Sequence, residues 1–273
     1  MHRLVLVILD RPEPVAVCLE AARQAASSLN NARIEALHVR ISAASTILPS
    51  EEVLTPEREK RLSEQEKDRA AAVRDACLSW LASSDIETQS RFVCTDVEST
   101  IEDEVRQRGR EADLIVLPQP ARTRDHHGKQ ILRTAVLSTD RPILVVPRSG
   151  LISLKSIAIF WADDRPTIRT ILDTMPLLAS AGQLYVLCLR AGANGVVMAV
   201  PRVLADHDVG AEVRMIYPRF RRRGPAVLQA AHEVGADMLV MGAYARHPLA
   251  EFVTAGVTRY LSRQSDLPVL MRH

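Results

Sequence analysis

The fold of this chain is decided by one stretch near its C-terminal end, Gly235-Ala236-Asp237-Met238-Leu239-Val240-Met241-Gly242-Ala243-Tyr244-Ala245. The apolar run from Met238 to Met241 predicts a strand that is covered on both faces, and Gly242 ends it. Apolar residues then recur at helical spacing between Leu249 and Leu261, which predicts a helix. A strand that turns on glycine into a helix can present backbone N–H groups and a positive helix end to an anion. This stretch is therefore a candidate ligand site.

The first half of the chain repeats this pattern and part of its sequence. Glu111–Leu117 (Glu-Ala-Asp-Leu-Ile-Val-Leu) pairs with residues 235–241, and Arg141–Val146 pairs with Leu267–Met271. Strands alternate with helices in both halves, which implies right-handed crossovers and a parallel sheet with helices on both faces. We predict an α/β fold made of two copies of one five-stranded domain, residues 1–149 and 150–273.

The first half also carries a long charged helix between its second and third strands. Thr55-Pro56, a cap residue followed by proline at the first helical position, predicts its start, and the helix runs to about Ser83. The third strand is predicted at Thr88–Cys94. The second half has no such helix in its connection 190–209, which makes it shorter.

The opening stretch resembles the last third of a universal stress protein domain. That family carries Ala-Asp, an apolar strand, Gly-x-x-Gly, nine residues, and then Gly-Ser or Gly-Thr. Here Gly242 matches the first glycine and Ala245 stands at the second. The later pair falls on Ala255 and Gly256, with Thr258 two residues further on. In nucleotide-binding members of that family the glycines and the hydroxyl hold the phosphates of ATP. The resemblance implies the same role for the matching residues here.

The resemblance extends over nearly the whole chain as a tandem pair. It implies two doubly wound five-stranded sheets, each with the strand order 3-2-1-4-5, in domains that associate in pairs. A tandem chain can form such a pair within itself. Because edge strands leave N–H and C=O groups unpaired, we predict that Ile143–Val146 and Val269–Met271 form this contact. A homodimer of the whole chain and an unidentified protein partner stay open as further associations.

Ligands of doubly wound sheets bind outside the carboxyl ends of the strands where the strand order reverses. In each half this point lies between the first and fourth strands. In the first half Asp10 matches the acidic residue that the family places after strand one. The partner loop is Pro118-Gln119-Pro120-Ala121, in which both glycines are replaced and proline has no N–H to donate. We expect no nucleotide in this half, and we expect Asp10 to be a loop carboxylate or a helix cap.

The second half keeps the glycines of the motif and offers nearby carboxylates. Its acidic position falls on Ala162, and two aspartates follow at once. The candidate residues for the cofactor ATP are Gly242, Gly256, Thr258, Asp163 and Asp164. The alternative is that the two aspartates cap the helix that starts near Pro166.

The composition excludes several broad classes of protein. Lys and Arg number 35 against 33 Asp and Glu, so no global field attracts nucleic acid. No apolar run approaches the roughly 18 residues of a membrane span, and Leu4–Leu9 is too short for a secretory segment. Four cysteines lie far apart without a CxxC pair, which is typical of buried reduced thiols: Cys18, Cys77, Cys94 and Cys188. We expect a cytoplasmic protein with neither a membrane span nor a specific nucleic-acid partner.

The chain carries no recognisable catalytic motif, whether Gly-x-Ser-x-Gly, His-Glu-x-x-His, a phosphate loop or Gly-x-Gly-x-x-Gly. His126-His127 lacks the further spaced ligands of a metal site. The basic run Arg219-Phe220-Arg221-Arg222-Arg223 is interpreted as a solvated loop, with a phosphate contact as the alternative. The resemblance implies a non-enzymatic protein that acts in the stress response by regulation or interaction. Two other hypotheses are an adenine-nucleotide sensor that uses the second half and a slow ATP hydrolase.

Overall fold

The computed structural model describes residues 3–41, 55–121, 125–148, 153–189, 200–217, 223–243 and 255–273. The elements of the first half are β1 (Leu4–Ile8), α1 (Val15–Ser28), β2 (Arg33–Arg40), α2 (Pro56–Ala82), α3 (Ile86–Arg91), β3 (Phe92–Glu98), α4 (Ile101–Glu111), β4 (Leu114–Pro118), α5 (His126–Ser138) and β5 (Ile143–Val146). Those of the second half are β6 (Ser156–Trp161), α6 (Arg165–Asp173), α7 (Met175–Ala179), β7 (Gln183–Leu189), α8 (Arg202–Ala205), β8 (Glu212–Ile216), α9 (Arg223–Glu233), β9 (Met238–Gly242), α10 (Ala255–Gln264) and β10 (Val269–Arg272).

All ten strands form one sheet in the order β3-β2-β1-β4-β5-β10-β9-β6-β7-β8. Read from its outer edge inward, each half has the order 3-2-1-4-5, and every strand pair within a half is parallel, as predicted. The expectation of two separate sheets needs correction in one respect. The last strands of the halves pair with each other, so the two five-stranded units share one continuous sheet.

The junction between the halves is the predicted contact of the two last strands. β5 and β10 run antiparallel, with Leu144 opposite Leu270 and Val145 opposite Val269. Because the strands within a half are parallel, this antiparallel pairing sends the carboxyl ends of the two halves to opposite edges of the sheet. The candidate ligand positions of the two halves therefore face away from each other. The predicted boundary near 149–154 includes residues 149–152, which lie outside the described residues.

The repeated Ala-Asp pair has the same structural role in both halves. The carboxylate of Asp113 accepts a hydrogen bond from the backbone N–H of Leu4 at 2.8 Å. The carboxylate of Asp237 accepts one from the N–H of Ser156 at 3.0 Å and another from the Ser153 hydroxyl at 2.8 Å. Each aspartate thus ties the start of the fourth strand of its half to the start of the first strand.

One predicted strand is partly wrong. Thr88 belongs to the short helix α3, whose N-cap Asp85 accepts a hydrogen bond from the Thr88 N–H at 2.7 Å. The strand that follows is Phe92–Glu98. The cap therefore outweighs the β-propensity of threonine at this position. The long charged helix is confirmed as α2, with Thr55 as its N-cap and proline at its first position.

The core consists of two apolar layers, one on each face of the sheet, and both layers run across the junction. One layer is built on α1, α2, α6 and α7, and the other on α4, α5, α9 and α10. Leu144 and Leu270 belong to the first layer, whereas Ile143 and Val269 belong to the second. No helix in the described part of the chain is long and apolar enough to cross a membrane.

The continuous core predicts that the two halves unfold together. Each half contains one tryptophan, Trp80 on α2 and Trp161 at the end of β6. We expect Leu270→Ala to lower the free energy of unfolding by about 3 kcal/mol, because Leu270 is fully buried at the junction. The loss should be equal whether fluorescence follows Trp80 in a Trp161→Phe background or Trp161 in a Trp80→Phe background. Denaturant titrations of both pairs measure it.

Leu78→Ala on the surface of α2 is the control, since Leu78 is 52% exposed and its truncation should change stability by only about 0.5 kcal/mol. If Leu270→Ala shifts the unfolding midpoint reported by Trp161 but leaves the midpoint reported by Trp80 unchanged, the two halves unfold independently.

Candidate functional site

In the first half, the switch point between β1 and β4 holds a cluster of charged side chains. Asp10 and Arg11 follow β1, and Asp125 begins α5 as its N-cap. Arg11 Nη2 lies 2.8 Å from Asp125 Oδ2, and Arg11 Nε lies 3.4 Å from Asp10 Oδ1. The second distance is that of an ion pair, and neither of its two atoms has a hydrogen-bond partner in the described chain. Arg11 therefore bridges two carboxylates at the switch point of the first half.

The Asp125 carboxylate accepts most of the hydrogen bonds in this cluster. It accepts hydrogen bonds from the backbone N–H groups of Ala121 at 2.5 Å and of Gly128 at 2.9 Å. Arg148, two residues after β5, reaches Asp125 Oδ2 from the other side at 3.4 Å. A Cβ on Gly128 would lie 2.8 Å from the carboxylate oxygens, so this cap geometry requires glycine there.

The two carboxyl groups of the cluster titrate in opposite directions. Burial raises the pKa of Asp10, and the negative charge of Asp125 adds to this effect while Arg11 opposes it. Burial also acts to raise the pKa of Asp125, but the Ala121 N–H and the Arg11 guanidinium, followed by the Gly128 N–H, outweigh it and lower the pKa. Asp125 is thus the carboxylate that the structure holds in its charged form.

Helix α2, which is not part of the doubly wound pattern, lies near this cluster. From α2, Glu66 and Arg69 approach His127, and they form an ion pair with each other at 2.8 Å. Burial lowers the pKa of His127, and the nearby Arg69 lowers it further. Among the described ranges, no three His, Cys, Asp or Glu side chains gather in a way that could hold a metal ion.

The loop after β4 is attached to the second half of the chain. Pro118 is the last residue of β4, and the N–H of Gln119 donates to Val146 O at 2.7 Å. The Gln119 side chain donates to Ser265 O, just before β10, at 2.8 Å. The loop in which the family glycines are replaced thus contributes one residue, Gln119, to the junction between the halves.

In the second half, Gly242 is the last residue of β9 and lies against the start of α6. A Cβ at this position would lie 2.6 Å from the backbone N of Thr167, 2.7 Å from its Oγ1 and 3.0 Å from Pro166 Cβ. Asp164 is the N-cap of α6, and its Oδ1 accepts the Thr167 N–H at 2.9 Å. The structure thus brings Gly242 and Asp164 to the same helix start, where both have a packing or capping role.

The other predicted site residues have different surroundings. Asp163 is exposed. Gly256, in the first turn of α10, is also exposed, and a Cβ there would meet no atom within 4 Å. Thr258 is only 1% exposed, and its hydroxyl has no hydrogen-bond partner among the described residues. Residues 244–254, including Tyr244 and Ala245, lie outside the described chain.

Sequence reasoning identified Asp10 but missed Arg11, Asp125 and Arg148. The one local signal was Asp125-x-x-Gly128, a cap residue followed three positions later by glycine. In the basic run, residues 219–222 lie outside the described chain and Arg223 begins α9. His38 is buried near the end of β2, and its Nδ1 lies 2.8 Å from Leu9 O.

Comparison with known proteins places the chain by fold and, over part of its length, by sequence. Residues 199–273 match the model of the universal stress protein family. No curated protein sequence matches the chain.

Several solved structures are similar over most of their length. A universal stress protein from Archaeoglobus fulgidus DSM 4304 has a TM-score of 0.66 at 10% identity, over 98% of this chain and 97% of that chain. A putative universal stress protein from Pseudomonas aeruginosa UCBPP-PA14 has a TM-score of 0.60 at 12% identity, over 98% and 92%. The cytoplasmic domain of a prokaryotic cation chloride cotransporter has a TM-score of 0.50 at 11% identity, over 100% and 96%. At such identities the likeness concerns the fold alone. Residues 199–273 thus match the universal stress protein family by sequence, and the chain as a whole shares its fold with solved universal stress proteins.

Proposed function

We propose that this chain is a non-enzymatic, cytoplasmic stress-response protein that acts by regulation or interaction through the surface of its two paired halves. The observation that carries the proposal is the antiparallel pairing of β5 with β10. It gives a single chain the paired arrangement expected of universal stress domains, so a second copy is not needed to complete the pair. The recognised partner would be another protein.

The charged cluster of the first half supports a role without a nucleotide there. Phosphates bind at helix N-termini because backbone N–H groups and the helix dipole favour negative charge. At the start of α5 that position already has an internal anion, the carboxylate of Asp125, which accepts the N–H groups of Ala121 and Gly128. Arg11 supplies the cation that would otherwise meet a phosphate. An entering nucleotide would have to displace both charges.

The internal ion pair predicts a stability difference between two cap aspartates. Asp125→Ala removes a cap and leaves Arg11 without its 2.8 Å partner, so we expect a loss of about 3 kcal/mol in the free energy of unfolding. Asp164→Ala on α6 removes a cap alone and should cost about 1 kcal/mol. Denaturant unfolding of both variants at neutral pH measures the difference.

The cost of losing the Asp125 charge should also depend on pH. The folded-state pKa of Asp125 is lowered, so its stabilisation is present above its unfolded pKa of about 4 and is lost as pH falls through the folded value. Asp10 has the opposite sign because its pKa is raised. The difference in melting temperature between wild type and Asp125→Asn should therefore shrink between pH 6 and pH 3. Equal costs for the two caps, independent of pH, would contradict a special role for Asp125.

A second candidate function is an adenine-nucleotide sensor in the second half. The observation that favours it is the buried Thr258 hydroxyl, which has no hydrogen-bond partner in the described chain. A buried polar atom left without a partner costs free energy unless something else satisfies it. In this proposal the hydroxyl and the backbone near Gly256 hold the phosphates of ATP, with Asp163 or Asp164 toward the ribose. A slow ATP hydrolase would further require a base and a metal.

The two glycines of this candidate site should respond oppositely to alanine. Gly242→Ala places a Cβ against the backbone of Thr167, so we expect a loss of about 2 kcal/mol in stability. Gly256→Ala meets open space on a helix and should gain about 0.5 kcal/mol. Thermal unfolding of both variants measures this difference. If both variants are destabilised, the view that only Gly242 is required for helix packing is wrong.

A thermal-shift titration with ATP and Mg²⁺ separates the two functions. Because Gly242 variants disturb α6, the informative variant is Thr258→Val, which keeps the shape and removes the hydroxyl. If the second half is a sensor, wild type gains about 2.7 kcal/mol at roughly 100 Kd of ATP and the variant loses that gain. The proposed regulatory role predicts instead a flat response up to millimolar ATP. Thr134→Val, another buried threonine on the corresponding helix of the first half, is the control.

The regulatory role itself is tested in cells. A strain that lacks the chain should survive starvation or oxidative stress less well, and both wild type and Thr258→Val should restore survival. Restoration by wild type alone would favour the sensor. ATP turnover by the purified chain, absent from Thr258→Val, would contradict a non-enzymatic function.

A further inference from the structure

Helix α2 packs on strand β3 in a register that brings two cysteines face to face. The rings of Trp80 and Phe92 lie 5.7 Å apart between centroids. Cys77 precedes Trp80 by three residues, one helical turn, and Cys94 follows Phe92 by two residues, on the same face of the strand. Cys77 and Cys94 therefore face each other one step along from the ring pair, close enough for their thiols to influence each other.

The two thiols differ in their access to solvent. Cys77 is completely buried in the apolar layer beneath α2, whereas Cys94 is half-buried. Cys94 also lines an open cavity of about 330 Å³ between α2 and the sheet. A water molecule occupies about 30 Å³ of liquid, so the cavity admits a small oxidant to Cys94.

The charges around this cavity are mostly positive. They are supplied by α2, β2 and β3, and the titratable residues of the lining are Lys67, Arg74, His38, Arg40, Cys94 and Asp96. Arg40 is held by Asp96 at 2.9 Å. The Nε2 of His38 is buried without a hydrogen-bond partner in the described chain.

The surroundings favour the thiolate of Cys94. The hydrogen bond from the Cys77 thiol is the main cause that lowers the pKa of Cys94 to about 7; burial and Asp96 oppose it, and Arg74 assists it. Cys77 has a raised pKa because it donates that hydrogen bond and is buried. Burial likewise raises the pKa of Cys18 and of Cys188. Cys94 is thus the most nucleophilic of the four thiols at neutral pH.

We propose that Cys94 and Cys77 form an oxidisable thiol pair that reacts with hydroperoxides and closes to a disulfide between β3 and α2. The Cys94 thiolate attacks one peroxide oxygen, so an S–O bond forms, the O–O bond breaks, and the leaving alkoxide or hydroxide takes a proton from solvent. The Cys77 thiol then attacks the sulfur of the sulfenic acid. The S–S bond forms, the S–O bond breaks, and hydroxide leaves with the Cys77 proton as water. Two thiols are oxidised by two electrons, and the hydroperoxide is reduced.

This reactivity goes beyond the proposed regulatory function, because it supplies a chemical input to the first half. The disulfide would join α2 to the strand beneath it. Cys18 and Cys188 are buried, and neither lines the cavity beside Cys94.

Treatment of the reduced full-length chain with hydrogen peroxide tests the proposal. After denaturation and alkylation, intact mass should show two alkyl groups fewer than on the untreated chain, and peptide mapping should find the bond between Cys77 and Cys94. A Cys18→Ser/Cys188→Ser variant should behave the same way. Cys77→Ala should accumulate a Cys94 sulfenic acid that dimedone traps, and Cys94→Ser should leave Cys77 reduced.

A second measurement does not depend on whether the buried cysteine variants fold. The rate of Cys94 alkylation by iodoacetamide in the native chain should be half-maximal near pH 7, against about 8.5 for an ordinary thiol. Arg74→Gln, at an exposed position of α2, should move this midpoint upward. A midpoint near 8.5, a wild-type sulfenic acid that never closes, or equal oxidation of Cys18 and Cys188 would overturn the proposal.

Discussion

The pairing of β5 with β10 is the contact on which the architecture depends. Both strands are short, and in the paired sheet their apolar side chains are buried on both faces. Separated halves would expose these side chains together with a row of unpaired backbone N–H and C=O groups, which is the usual liability of an edge strand. The pairing removes both costs at once. It also places the carboxyl ends of the strands of the two halves at opposite edges of the sheet. The candidate ligand positions therefore share a core but lie on different surfaces.

Polar contacts close the junction at both of its ends. At one end the Gln119 side chain binds Ser265 O, and at the other Arg272 forms ion pairs with Asp140 and with Asp173. Of these residues, Gln119 lies in the loop after β4, at a strand end where ligands of doubly wound folds bind. In this loop proline stands where the resemblance places a glycine, and the neighbouring Gln119 donates to the opposite half, so the altered site and the junction meet in one loop.

Much of the fold could be predicted from the sequence, because the features that carry it are local and repeated. Asp113 and Asp237 each hold the first strand of their own half, which is why the Ala-Asp pair is repeated with its apolar strand. The site could be predicted less well, because it depends on contacts between distant residues. Arg11 and Asp125 are 114 positions apart, and nothing in the sequence pairs them. Gly242 was recognised, but its contact with Thr167 could be found only in three dimensions.

Helix α2 is the element that distinguishes the first half from the second, and it contacts two polar regions at once. In its middle Glu66 and Arg69 approach His127, and further along Cys77 faces Cys94. Cys77 follows Glu66 by eleven positions, which is about 16 Å of continuous helix. A helix of this length moves largely as one body, so a bond formed at Cys77 bears on the position of Glu66. Coupling between the two regions would require α2 to have two positions on the sheet, one favoured by the dithiol and the other by the disulfide. The ion pair of Glu66 with Arg69 lies within α2 and would move with the helix, whereas the buried Arg11–Asp125 pair joins two other segments and would stay in place.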